Sequence, residues 1–126
     1  MAAEAETPAA EETELAPERV AELVESGDAQ VIDVRSDYEH VAGHIPGTRH
    51  IALTALQDES AGLDRERPVV LYCRSGERSG AAAQAFRASG WDARSMAGGL
   101  VAWAENGLPL EPEDGEVAPR SNLPGD

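Results

Sequence analysis

Short apolar runs that alternate with helical segments restrict the fold of this chain more than any other feature of its sequence. The clearest run, Val69-Val70-Leu71-Tyr72, follows a proline and has the β-branched character that favours strands. Further strands are predicted at 31–34, 49–52 and 91–96, and helices at 17–26, 37–41, 79–88 and 100–105. Apolar strands separated by helices indicate a parallel sheet covered on both faces. The predicted fold class is therefore α/β.

Acidic residues concentrate at the two ends of the chain and delimit the predicted domain. The 126 residues carry 24 acids against 10 bases, all of them arginine, for a formal net charge of −14. Residues 1–14 hold five acids and no base, which predicts a disordered acidic arm. Residues 111–126 hold five acids, three prolines and two glycines, which predicts a solvated acidic tail whose first residues could lie along the domain. Residues 15–110 remain as one compact domain of ordinary length.

The composition excludes several classes of partner and of site. A strongly negative chain repels phosphate backbones and anionic lipid surfaces, so neither nucleic acid nor a membrane is expected as a partner. No apolar stretch is long enough to cross a bilayer and no export signal is recognisable, which predicts a cytoplasmic protein. The single cysteine, Cys73, excludes an internal disulfide, and the unevenly spaced His40, His44 and His50 do not predict a metal site. A monomer is the expected state.

The only cysteine of the chain lies where a parallel sheet places its ligand sites, at the carboxyl end of a strand. Cys73 opens a loop that continues through Arg74-Ser75-Gly76-Glu77-Arg78 and leads directly into a helix. Backbone N–H groups of such a loop converge into a cradle for an anion, and the two arginines add positive charge. This field favours thiolate over thiol, so Cys73 is predicted to be a nucleophile that acts on an anionic substrate. The alternative is that Cys73 is a buried apolar residue at a strand end.

The motifs around this loop give the chain a family resemblance. The sequence resembles a single-domain rhodanese, a sulfurtransferase, in a series of motifs that occur in the expected order. These are VIDVR (31–35) with Glu39, GHIPG (43–47), VVLYCRSGERS (69–79), Gly98-Gly99 with Ala102-Trp103, and Gly107-Leu108-Pro109. The resemblance covers roughly residues 16–110, which is nearly the whole predicted domain.

The resemblance implies a five-stranded parallel sheet flanked by helices, with a nucleophilic cysteine opening a six-residue loop. On this sequence the nucleophile would be Cys73, and the loop that binds substrate and persulfide would consist of Arg74, Ser75, Gly76, Glu77 and Arg78. The thiolate would take the outer sulfur of a small anionic donor such as thiosulfate. It would pass that sulfur to a thiol, a protein acceptor or cyanide, with no metal and no organic cofactor.

The resemblance also assigns supporting roles beside the loop. Asp33 and Arg35 would hold neighbouring loops together, and a contact between Arg35 and Glu39 is expected. His44, in the GHIPG turn, would pack near the rim of the site. Replacement of Arg78 by alanine is expected to weaken thiosulfate turnover without unfolding the domain.

Loop length separates this function from its nearest rival. Cysteine phosphatases of the cell-cycle dual-specificity kind share the fold but use Cys-x5-Arg, whereas four residues separate Cys73 from Arg78. The shorter loop is expected to fit a sulfur atom rather than a phosphoryl group, and the same argument disfavours arsenate reduction. Two alternatives stay open: a regulatory module that binds a partner without catalysis, and a persulfide carrier that serves a biosynthetic protein. The sequence does not determine the physiological donor or acceptor.

Overall fold

A computed structural model describes residues 13–119 of the chain. Most of the predicted acidic arm, residues 1–12, lies outside the described residues, and so does the end of the predicted tail, residues 120–126. Within residues 13–119, no helix is long and apolar enough to cross a membrane.

The described chain folds into a five-stranded parallel sheet with helices on both faces, which confirms the predicted fold class. The strands lie in the spatial order β1-β5-β4-β2-β3. Their bounds are β1 Glu14–Leu15, β2 Gln30–Asp33, β3 Arg49–His50, β4 Val69–Tyr72 and β5 Ala93–Met96. The α-helices are α1 Pro17–Ser26, α2 Asp37–Ala42, α3 Leu56–Glu59, α4 Glu77–Ala88 and α5 Gly99–Glu105, and short 3₁₀ turns at Leu53–Ala55 and Ser60–Gly62 flank α3.

Alternation along β4 divides the core into two apolar layers, because successive strand side chains point to opposite faces of the sheet. Val69, Leu71 and Cys73 belong to the layer under α4, whereas Val70 and Tyr72 belong to the layer under α1 and α5. All four residues of β4 are buried, as expected of a central parallel strand. The alternation therefore directs the side chain of Cys73 toward the face that α4 covers.

One strand was not predicted from the sequence, and several helix ends lie a residue or two from their predicted positions. β1 pairs with the edge of β5, so Glu14, which was assigned to the acidic arm, is part of the sheet. Its two residues carry too little pattern to be recognised as a strand. The predicted helix at 79–88 begins earlier, at Glu77, because Gly76 adopts a left-handed φ of 106° and turns the chain directly into the helix.

Residues 111–119, called here the C-terminal strap, lie along the domain beside α2. Glu111 forms a reciprocal pair of backbone hydrogen bonds with His44, and the N–H of Glu116 donates to the carbonyl of Ala42 at 2.8 Å. Val117 packs against the core layer under α1 and α5. Gly43 makes this close approach possible, because a Cβ there would overlap the backbone of Glu116.

Candidate active site

The loop that begins at Cys73 connects the carboxyl end of β4 to the first turn of α4. Cys73 is 1% exposed and its sulfur is surrounded by donors rather than by apolar atoms alone. The N–H of Gly76 donates to Sγ at 3.1 Å, and the N–H and the hydroxyl of Ser79 both lie 3.4 Å from it. Three donors therefore surround one sulfur, and the low dielectric of a buried site strengthens each of these contacts. The predicted cradle therefore has a geometric counterpart around Sγ.

The start of α5 binds two carbonyl groups at the beginning of the Cys73 loop. The N–H of Leu100 donates to the carbonyl of Cys73 at 2.8 Å, and the N–H of Val101 donates to that of Arg74 at 3.0 Å. Gly99 allows this approach, because a Cβ at that position would overlap the backbone of both loop residues. With these two carbonyls bound to α5, N–H groups of the loop and of α4 reach Sγ. The Gly98-Gly99 pair thus shapes the cradle from outside the loop.

Arg78 is held by a buried ion pair. Its Nη1 and Nη2 donate to the two carboxylate oxygens of Glu39 at 2.9 and 3.0 Å, and the two side chains are 5% and 0% exposed. The hydrogen bond to Glu39 raises the pKa of Arg78. Burial alone would raise the pKa of Glu39, but hydrogen bonds from Arg78 and Ser36 outweigh burial and lower it. Both groups are therefore charged, and Arg78 adds positive charge near Cys73 while two of its nitrogens bind Glu39.

This ion pair bears on two expectations from the sequence. The expected contact between Arg35 and Glu39 is not an ion pair, because the carboxylate of Glu39 binds Arg78 and the guanidinium of Arg35 binds Asp33. The expectation that Arg78→Ala leaves the domain folded stays a prediction, and the truncation would destabilise the domain by leaving a buried carboxylate unpaired.

The other predicted loop residues face different surroundings. The Nε of Arg74 donates to the carbonyl of Ala118 in the C-terminal strap at 3.1 Å, so this arginine links the loop to the strap. Ser75 and Glu77 are exposed, Glu77 in the first turn of α4. Gly76 provides both the left-handed turn and the shortest donor to the sulfur.

Asp33 and Arg35 form a second buried ion pair at the end of β2. The Nε and Nη2 of Arg35 donate to the two oxygens of Asp33 at 2.9 and 2.7 Å, and Nη2 also donates to the carbonyl of Gly43. Burial alone would raise the pKa of Asp33, but hydrogen bonds from Arg35 and His40 lower it to about 2. These contacts tie the end of β2 to the GHIPG turn, and the supporting role expected for both residues stays a prediction.

The three histidines stack on one another beside this ion pair. The ring of His40 lies 3.8 Å from that of His44 and 4.3 Å from that of His50, centroid to centroid. His40 contacts Asp33, and the Nε2 of His44 lies 3.5 Å from a carboxylate oxygen of Glu111 in the strap. No group of metal-ligating side chains with suitable geometry occurs among residues 13–119. His44 therefore packs at the junction of the GHIPG turn and the strap.

Comparisons with known proteins place this chain in a family. The family model of the rhodanese-like domain matches residues 16–106. The chain belongs to the rhodanese family. The thiosulfate sulfurtransferase GlpE of Pseudomonas aeruginosa is 38% identical over 104 residues, which cover 82% of this chain and 93% of that protein. A sulfurtransferase of Allochromatium vinosum is 31% identical over 94 residues, or 74% of this chain and 88% of that protein.

Among solved structures, a rhodanese-related protein from Thermoplasma volcanium superposes on this rhodanese with a TM-score of 0.72 at 26% identity, covering 78% of this chain and 96% of that one. The predicted family and the predicted enzyme class, a rhodanese-type sulfurtransferase, are therefore confirmed. The family match ends at residue 106, so the C-terminal strap lies outside it.

Several residues around the sulfur were not identified as functional from the sequence. Ser79 was assigned only as a helix start, although its N–H and hydroxyl both reach Sγ. Ser95, on β5, was not singled out at all, and it contacts Ser79. Glu39 was noticed but paired with the wrong arginine. All three residues are brought to the site by packing between strands and helices that are far apart in sequence. A single sequence carries no direct signal of such packing.

Proposed function

We propose that this rhodanese transfers a sulfane sulfur from a small anionic donor such as thiosulfate to a thiol or to cyanide through a persulfide on Cys73. The observation that carries the proposal is the set of three donors from Gly76 and Ser79 around Sγ. They support a negative charge on Sγ before the reaction, and in the persulfide that charge would lie on the outer sulfur, one bond beyond Sγ.

The proposed reaction consists of two successive displacements at sulfur. In the first, the thiolate of Cys73 attacks the outer sulfur of thiosulfate, a new S–S bond forms, and the old S–S bond breaks with its electron pair leaving on sulfite. In the second, an acceptor thiolate or cyanide attacks the outer sulfur of the persulfide, and the electron pair of that S–S bond returns to Cys73. No net oxidation of the protein occurs, and two half-reactions of this kind give ping-pong kinetics.

The charge distribution around the loop supports an anionic donor. Arg78 brings a buried positive charge close to Cys73, and Arg74 adds a second one at the adjacent position. Glu39 neutralises part of the charge of Arg78, which leaves Arg74 as the less compensated cation of the loop among the described residues. A donor with a negatively charged leaving group is therefore favoured over a neutral one.

The engagement of Arg78 argues for sulfur rather than phosphate chemistry. A phosphoryl group presents three oxygens and needs several donors around it at the moment of transfer. Two nitrogens of Arg78 are already bound to Glu39, and the loop donors converge on the single sulfur of Cys73. Donors that converge on one atom in this way fit one additional sulfur, about 2 Å beyond Sγ, better than a tetrahedral anion.

Thiocyanate formation from thiosulfate and cyanide tests the proposal, with Cys73→Ser as the matched variant. Thiosulfate-dependent product with the wild-type chain and none with Cys73→Ser is the expected result. A rate that survives the substitution would remove Cys73 from the mechanism. Absence of product from a folded wild-type chain would instead favour the regulatory module that binds a partner without catalysis.

A further inference from the structure

A buried pair of hydroxyls adjoins the sulfur of Cys73. Ser79, in the first turn of α4, and Ser95, on β5, lie with their Oγ atoms 2.7 Å apart, although 16 positions separate them in sequence. Ser79 is 0% exposed and Ser95 is 1% exposed. Ser79 Oγ also lies 3.4 Å from Cys73 Sγ and 3.4 Å from the carbonyl oxygen of Gly76. The pair therefore connects a neighbouring strand to the reacting atom.

The buried surroundings determine which serine donates. Within residues 13–119, the hydroxyl of Ser95 has Ser79 Oγ as its one hydrogen-bond partner, whereas Ser79 also has the sulfur and the carbonyl of Gly76 as acceptors. If Ser79 donated to Ser95, the proton of Ser95 would be buried without an acceptor, which costs free energy. The arrangement that satisfies both hydroxyls has Ser95 donating to Ser79.

The proton of Ser79 is then committed to one of two acceptors. Hydrogen bonds to an ionised acceptor are stronger than those to a neutral carbonyl, so a thiolate at Cys73 takes this proton in preference to Gly76. We propose that Ser95 is a positioning residue that donates to Ser79 Oγ and thereby directs the Ser79 hydroxyl to the sulfur of Cys73. The inference deepens the proposed function, because it rests on Cys73 acting as a thiolate.

The two serines can be altered without changing the charges around the sulfur. Three charged residues, Arg74, Glu77 and Arg78, belong to the loop of Cys73, and Glu39 binds Arg78. Neither Ser79 nor Ser95 hydrogen-bonds to any of these side chains. A change in thiolate formation after serine substitution is therefore attributable to the hydroxyls.

The test measures thiolate formation directly, in the full chain. Because Cys73 is the one cysteine, the ultraviolet absorbance of the thiolate is followed against pH, with the Cys73→Ser chain subtracted as baseline. Loss of one hydrogen bond to a charged group is expected to move the midpoint upward by about 1 pH unit in Ser79→Ala. Ser95→Ala is expected to move it in the same direction by about half as much. The double variant is expected to match Ser79→Ala, because Ser95 acts through Ser79.

Matched controls separate this role from a general structural one. Ser60→Ala removes a hydroxyl that donates to the carbonyl of Gln57 and is expected to leave the midpoint unchanged. Ser95→Thr keeps a hydroxyl at position 95 and is expected to keep the wild-type midpoint. An unchanged midpoint in Ser95→Ala would overturn the inference, and so would a Ser95→Ala shift that adds in full to that of Ser79→Ala.

The thiolate titration does not depend on sulfur transfer, so the role of Ser95 and the proposed function are tested independently. Coupled shifts of the midpoint in a chain that transfers no sulfur would support the role of Ser95 and contradict the proposed function. Thiosulfate turnover that depends on Cys73, with no midpoint shift in Ser95→Ala, would support the function and overturn the role of Ser95.

Discussion

The guanidinium of Arg78 and the carboxylate of Glu39 form two parallel hydrogen bonds, of 2.9 and 3.0 Å, across 39 positions of sequence. The pair joins the first turn of α4 to α2 and is almost completely buried. It therefore fixes the end of the Cys73 loop against the element that precedes the GHIPG turn.

Removal of either partner of this pair is expected to destabilise the domain. Glu39→Ala and Arg78→Ala should each lower the free energy of unfolding by about 3–5 kcal/mol, because each leaves the other charge buried and unpaired. The double variant should lose less than the sum of the two, since it leaves no isolated charge. Urea denaturation of wild type, the two single variants and the double variant measures the coupling free energy between Glu39 and Arg78. Additive losses would show that the two residues are not energetically linked.

The ion pair of Asp33 is expected to make stability depend on pH in the acid range. Since burial is outweighed by hydrogen bonds from Arg35 and His40, the pKa of Asp33 falls from 3.8 to about 2 on folding. The contribution, about 2 kcal/mol, is fully present above the unfolded value and is lost as pH falls through the folded value. Unfolding free energies from about pH 5 to pH 2 should therefore fall more steeply in wild type than in Asp33→Asn. Equal slopes would contradict the assignment.

Gly99 is expected to be required for the shape of the loop and not only for its own backbone conformation. Gly99→Ala and Gly107→Ala both place a side chain at a left-handed φ, 62° and 74°, which costs about 1–2 kcal/mol in each. A Cβ at Gly99 also overlaps the backbone of Cys73 and Arg74, whereas none of the described atoms lies close to a Cβ at Gly107. Turnover should fall roughly 100-fold in Gly99→Ala, because the loop must move, and stay near wild type in Gly107→Ala. Equal turnover in the two variants would refute this role.

The C-terminal strap is expected to stabilise the domain and to orient Arg74. A chain that ends after Leu110 loses the bonds of Glu111 and Glu116, the packing of Val117 and the carbonyl that binds Arg74. Its free energy of unfolding should fall by about 2 kcal/mol, and its KM for thiosulfate should rise. A chain that ends after residue 119 keeps every described contact and serves as the control. Equal stability and equal affinity in the two truncated chains would contradict the role of the strap.

The central part of the fold and site could be predicted because its signals are local. The apolar run of β4, the cysteine that follows it and the glycine that turns the chain into α4 are contiguous in sequence. The position of Cys73 at the carboxyl end of a parallel strand follows from this order alone.

The parts that escaped prediction depend on contacts between distant segments. β1 consists of two residues whose pairing with β5 defines them as a strand. The direction of the Arg78 side chain depends on the packing of α2, and the hydroxyl pair of Ser79 and Ser95 depends on the position of α4 over β5. The sequence predicted that both arginines of the loop add positive charge to the anion cradle, but it did not show their partners. In the structure Arg78 binds Glu39 and Arg74 contacts the strap.

Sulfur transfer through Cys73 requires a donor to reach a residue that is 1% exposed. Intact mass spectrometry of the full chain after brief treatment with thiosulfate tests this directly. The expected result is a gain of one sulfur atom in the wild-type chain, its removal by a thiol reductant, and no gain in Cys73→Ser. An unchanged mass in the folded wild-type chain, or the same gain in Cys73→Ser, would contradict sulfur transfer through Cys73.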